Sequence, residues 1–296
     1  MRVHNLRQLG RLYSTKTSAD SLREPIAGTV LEHHLYLVLR IQNPIRALES
    51  RRVLPLRIDI QRALLPHNGL VNLGYVTEDR LWARSEKLCS SQLASHGSPQ
   101  EDEFDDEFEE DRHEEHYDAV AFAPERPPLH VKGITRNNFE ERVDTVRLVQ
   151  RDLPPLRRFE PGEYDGPVHI YVCTHGQRDC RCGEHGGGLA DALMEEVKRR
   201  RTKQKGKGWD RVVIGEVAHV GGHKYAANAL IFPHGEWLGE LRAEDAPALL
   251  DALAVQPFSN GEGVTRPPLM PKHWRGRMGM SMDEQRRFIE DYLEIP

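Results

Sequence analysis

Two short segments of this chain of 296 residues concentrate side chains able to bind metal or exchange electrons. One is VCTHGQRDCRCGEHGGG, Val172 to Gly188, with three of the four cysteines: Cys173, Cys180 and Cys182. The other is HVGGH, in which His219 and His223 flank two glycines. Cys173 and Cys182 (C-x8-C) with His219 and His223 (H-x3-H) make two thiolates and two imidazoles. Four such ligands suit a tetrahedral metal ion or one cluster of two irons. A zinc site fits the ligand types, although eight residues between cysteines is long for a zinc finger. Cys173 with His175 and Cys182 with His185 imitate the paired ligands of a Rieske centre, but too few residues separate them for two clasping loops. Cys180 and Cys182 form a C-x-C pair, not the C-x-x-C of a thiol redox site. Cys89 has no ligand type near it. The sequence contains neither G-x-S-x-G nor G-x-x-x-x-G-K-[ST], so no catalytic residue is assigned.

Such ligands need strand ends to place them. Val168 to Cys173 and Arg211 to Val217 read as strands that deliver the two segments. Between them Leu189, Leu193 and Val197 recur at i, i+4 and i+8, the period of a helix opening at Gly186–Gly188. Ala229–Phe232 and Trp237–Gly239 suggest a hairpin, and Asp245 to Ala254 a further helix. The order β-α-β-β-β-α fits a thioredoxin-like layer within an α/β fold. Ser281 with Glu284 forms a capping box ahead of a last helix, Gln285 to Leu293. WRGRMGM, Trp274 to Met280, reads as a glycine-broken loop.

The first half is less sharply patterned. Leu35–Ile41 and Ala119–Ala123 read as strands, followed by a turn and short strand over ERPPLHVKG. Leu54 to Leu65 has helical spacing that Pro55 interrupts and Pro66 ends. The expected organisation is an N-terminal α/β domain over 24–153, a thioredoxin-like domain over 160–257, and a tail over 258–296 with one helix. Within the first domain, 99–118 is expected to be a disordered acidic insert: residues 101–118 hold twelve acids and one arginine. With the whole chain at −5, the remainder is only mildly positive, which gives no argument for nucleic acid. Residues 1–23 are arginine- and hydroxyl-rich with a single acid, the composition of a mitochondrial transit peptide. No run is long and apolar enough for a membrane span.

CTHGQRDCRCG, HVGGHKYAANALIF and WRGRMGMSMDEQ together resemble the sucrase/ferredoxin-like family of fungi and plants, and within it the mitochondrial, altered-inheritance-of-mitochondria branch of thioredoxin-like ferredoxins. The resemblance is strong from about Val168 to Phe232 and at the C-terminus, and loose over the first 150 residues. It implies a C-terminal thioredoxin-like ferredoxin domain, preceded by a second, related or smaller α/β domain. It also implies a [2Fe–2S] cluster on Cys173, Cys182, His219 and His223, in a redox protein of the mitochondrion, most naturally its matrix. Arg178 and Asp179 match the family's R-D pair, and Cys180 occupies a position the family does not require. Without a flavin or nicotinamide fingerprint, a separate redox partner protein is implied. A zinc-stabilised module and a thioredoxin-type thiol oxidoreductase are the competing expectations.

Overall fold

Strand β1, Leu35–Arg40, is apolar on both faces and lies buried through Leu39, as befits a strand covered on two sides. The computed structural model describes residues 26–49, 54–76, 115–152, 164–257 and 266–294. From β1 the chain crosses through helix α1, Pro55–Leu64, to β2, Gly69–Val76, which pairs parallel to β1. Pro55 stands in the first turn of α1 and opens the helix instead of interrupting it, since its missing N–H would find no helical partner there. Leu56, Ile60 and Leu64 form the buried stripe. Strands β3, His116–Phe122, and β4, Leu129–Thr135, follow as antiparallel neighbours, and helix α2, Phe139–Arg147, closes the module.

The second half repeats this plan. Strand β5, Val168–Cys173, is followed by helix α3, Gly187–Lys203, and by β6, Val212–Val217, parallel to β5. Then come β7, Ala229–Phe232, β8, Glu236–Leu238, and helix α4, Ala246–Val255. The order β8-β7-β5-β6 is the expected thioredoxin-like layer, and β4-β3-β1-β2 is its counterpart in the first half. β2 and β6 pair antiparallel and join both into one sheet, of nine strands among the described residues.

Several boundaries differ from expectation. β3 begins at His116, inside the stretch read as acidic insert. There Tyr117 turns inward while His116 stays exposed, so alternation resumes within the charged run. Residues 99–114 of that insert, the segment 1–23, Cys89 and the prolines 154, 155 and 161 lie outside the described residues. Trp274–Arg277 forms β9, an edge strand on β8, where a loop was expected. Its glycine and arginines hid it: Gly276 packs against Gln285, and Arg277 donates from Nε to Glu236 at 2.8 Å, a buried pair. Helix α5, Met282–Glu294, starts at the expected box, Ser281 N–H donating to Glu284 Oε2 at 2.7 Å and Glu284 N–H to Ser281 Oγ at 3.3 Å.

Among the described residues, the α-helices of each half sit on one face of their strands. One apolar cluster joins β5–β8 to α3, α4 and α5, and another joins β1–β4 to α1 and α2. The opposite faces form a third cluster, with Tyr36, Val38 and Phe122 from one half against Tyr171, Leu230 and Phe232 from the other. Four strands separate β3 from β7 in the sheet, yet Phe122 stacks on Phe232 with ring centres 4.0 Å apart. The sheet therefore curls back on itself, and Cys173 and Cys182 lie at this seam.

Candidate metal centre

Cys173 is the last residue of β5 and is level with Val217, the last of β6. The two following loops thus leave side by side at the carboxyl ends of parallel strands, where open α/β sheets bind ligands. The first loop is folded by its own backbone. Asp179 N–H donates to the carbonyl of His175 (3.2 Å), and the carbonyl of Asp179 accepts from Cys182 and Gly183 (3.0 and 3.3 Å). Residues Cys182–Gly186 form a turn wider than an α-helix that runs into α3 and lays Cys182 back over the end of β5. In the second loop Gly221 and Gly222 have φ of +82° and +66°. Those values are easy only for glycine, and they turn the chain so that the rings of His219 and His223 lie 5.4 Å apart.

The sulfurs of Cys173 and Cys182 and a ring nitrogen of His219 all fall within 4.8 Å of one another. Both cysteines are fully buried and His219 partly so. His223 is not in that close group. It lies beside His219, half exposed, with Nε2 4.0 Å from Asp179 Oδ2. Cys180 is exposed and outside the group. His175 is outside it too, its Nε2 2 residues past Cys173 being directed to the carbonyl of Leu48 at 3.1 Å.

The electrostatics favour a thiolate. The thiol of Cys182 hydrogen-bonds to the sulfur of Cys173, and the His219 side chain and the backbone N–H groups of Val220 and His175 support it further. Against the opposing cost of burial, these hold the Cys173 thiol well below its usual range. Cys182 moves up in return, because it donates to that thiolate and is itself buried. The pair thus releases its first proton readily and keeps the second until something replaces it. Arg181 forks onto Asp179, holding that carboxyl down at about 2. Burial, in turn, lowers His175.

A metal or cluster fits these residues. Nδ1 of His219 is buried without a hydrogen-bond partner, a costly state that a bond to metal would relieve. Two sulfurs with an imidazole nitrogen suit zinc or iron–sulfur chemistry, not calcium or magnesium. A sequence model of the sucrase/ferredoxin-like family matches residues 56–276, through both halves of the sheet. The chain belongs to the sucrase/ferredoxin-like family. Among family relatives, it is 31% identical over 123 residues to "Altered inheritance of mitochondria protein 32" of Meyerozyma guilliermondii, covering 40% of each chain. It is 35% identical over 91 residues to the protein of the same name from Debaryomyces hansenii, covering 29% of this chain and 30% of that one. "Actin patches distal protein 1" of Saccharomyces cerevisiae is 33% identical over 95 residues, 29% of each chain. The matches therefore span well under half the length of these curated relatives. A solved thioredoxin-like [2Fe–2S] ferredoxin from Aquifex aeolicus is similar over 34% of this chain and 96% of its own, at 18% identity and a TM-score of 0.25. That score is too low to bear on the fold, which rests on the strand order itself.

Two residues of the site went unnoticed in the sequence. Asn228 accepts the Cys173 N–H on its carbonyl (3.0 Å), and Arg275 packs behind the histidine loop. Only the two arginines inside the otherwise apolar and glycine-rich WRGRMG stretch could have signalled the second.

Proposed function

We propose that this chain is a one-electron carrier that holds a [2Fe–2S] cluster on Cys173, Cys182, His219 and His223. The observation behind the reading is the convergence of two buried sulfurs and His219, whose buried Nδ1 has no hydrogen-bond partner, at one pair of strand ends. His223, next to His219 and open to water, supplies a fourth ligand. When bound, the cluster supplies reversible one-electron chemistry. The protein supplies its setting: N–H groups of Val220 and His175 bond to the Cys173 sulfur and spread its charge. Two neutral imidazoles in place of thiolates leave the site less negative and favour the reduced state. The electron source is a separate reductase protein. The arginine-rich start of the chain and the names of its relatives support a mitochondrial location, with the matrix as its compartment.

Iron and sulfide analysis, with electron paramagnetic resonance of the reduced protein, tests this directly. We expect red-brown protein with two irons and two sulfides per chain. Colourless protein carrying only zinc would overturn the reading in favour of a zinc-stabilised module. His219→Cys or His223→Cys is expected to lower the potential of loaded protein; a potential equal to the parent's or higher would contradict the ligand assignment.

A further inference from the structure

Arg275, on β9, is only 2% exposed. The buried Arg277 nearby faces the carboxylate of Glu236. Arg275 has no such partner: among the described residues its guanidinium meets only neutral acceptors. Nε donates to Thr29 Oγ1 (3.1 Å), Nη2 to the Thr29 carbonyl (3.1 Å), and Nη1 to Asn228 Oδ1 (2.7 Å) and the Gly221 carbonyl (3.3 Å). Its carbon centre sits 5.0 Å from the ring of Tyr225. Taking a cation out of water costs several kcal/mol unless an opposite charge is near. Burial indeed lowers this guanidinium to about 10, while Tyr225 and then Cys173 act in the opposite sense.

The anionic group within reach is the thiolate site. The guanidinium lies against Gly222, between His219 and His223: a Cβ there would come within 2.3 Å of Nη2. Asn228 bonds to the guanidinium through its side-chain oxygen, to the Gly222 carbonyl through Nδ2 (3.2 Å), and to the Cys173 N–H through its own carbonyl. One polar relay therefore ties the positive charge to both ligand loops.

We infer that Arg275 is the buried counter-charge of the centre, favouring the state that carries one more negative charge and so raising the reduction potential. The inference rests on the function proposed above. In the step concerned, one electron arrives from a reduced partner protein, which is oxidised by one electron, and no bond forms or breaks. Arg275 touches none of the reacting atoms; it is a positioning residue acting through charge.

The test is potentiometric titration of the parent, Arg275→Gln, Arg275→Lys and Asn228→Asp proteins, read by electron paramagnetic resonance alongside iron and sulfide content. At a fixed applied potential, Arg275→Gln is expected to lower the ratio of reduced to oxidised protein at least tenfold, which is 59 mV for one electron. Arg275→Lys, which keeps the charge, should recover most of that shift. Asn228→Asp sets a carboxylate against an intact guanidinium and should lower the ratio in the same direction; if Arg275→Gln does not load iron, this variant decides. A role confined to holding the loop would change iron content and leave the potential of loaded protein alone. Loaded Arg275→Gln and Asn228→Asp proteins that titrate with the parent would overturn the inference only. A parent without iron and sulfide overturns the proposed function, and this inference with it, before any potential is measured.

Discussion

A Cβ placed on Gly186 would stand 2.0 Å from the carbonyl oxygen of Cys173. No side chain fits there, and that close approach is what lets Cys182 return over the end of β5. Gly186→Ala is therefore expected to cost on the order of 3 kcal/mol, read by urea unfolding, and, on the function proposed above, to reduce bound iron. A variant as stable and as iron-rich as the parent would show that the contact is dispensable. His33 makes a second prediction. It is buried against Tyr36 and Trp237, its Nδ1 bonded to the Leu31 carbonyl, and burial lowers it from 6.5 to about 4. Because the folded value lies below the unfolded one, the unfolded chain takes up the proton first as pH falls. The stability from neutral His33 is present above about pH 6.5 and drains away toward about pH 4, a loss of about 3 kcal/mol. His33→Phe should flatten that part of the stability–pH curve, and an unchanged slope would refute the assignment. At this scale Cys173, Cys182 and His219 were legible because their types and spacing are rare. Arg275 and Asn228 were not, since a buried cation and an amide between loops leave no periodic trace.

One brace that the first half of the chain gives the site is the turn Ile45–Ala47. Arg46 donates from Nε to Glu216 Oε1 (2.6 Å) on β6 and forks onto Asp191 of α3 (3.0 and 2.7 Å). Glu216 also accepts from Thr174 Oγ1 (2.9 Å), the residue directly after Cys173. Arg46→Met would leave the buried Glu216 short of its cation. With Arg46 itself partly exposed, we expect a loss of about 2 kcal/mol, below the figure for a fully buried pair. Arg46→Met/Glu216→Gln should recover about 1 kcal/mol of it in a double-mutant cycle, and strictly additive losses would mean that the two do not couple. Among elements, β5, β6 and α3 were readable from period and composition. β9 was hidden by its arginines, whose partners come from β8 and distant loops, and α1 was misread at Pro55 because a first-turn proline looks like a break when the helix start is unknown.

At the scale of the whole molecule, the two expected α/β units keep separate helical layers but share one sheet and one interior. Local periodicity could suggest each layer; it could not show the β2–β6 pairing or the fold of the sheet onto itself, which depend on residues more than a hundred positions apart. Phe122 belongs to the first half and stacks on Phe232 of the second, so Phe122→Ala should cost about 3–5 kcal/mol and shift one common melting transition. Two separate transitions, with only the first moved, would argue that the halves unfold independently. A last consequence follows from the contrast between two sealed sulfurs and an imidazole that is 50% exposed. If the chain is the carrier proposed above, that imidazole is the most exposed of the four proposed ligands among the described residues, and so the natural doorway. Whatever delivers the charge and whatever collects it would have to queue at the same patch, and a molecule that blocked one visitor would shut out both.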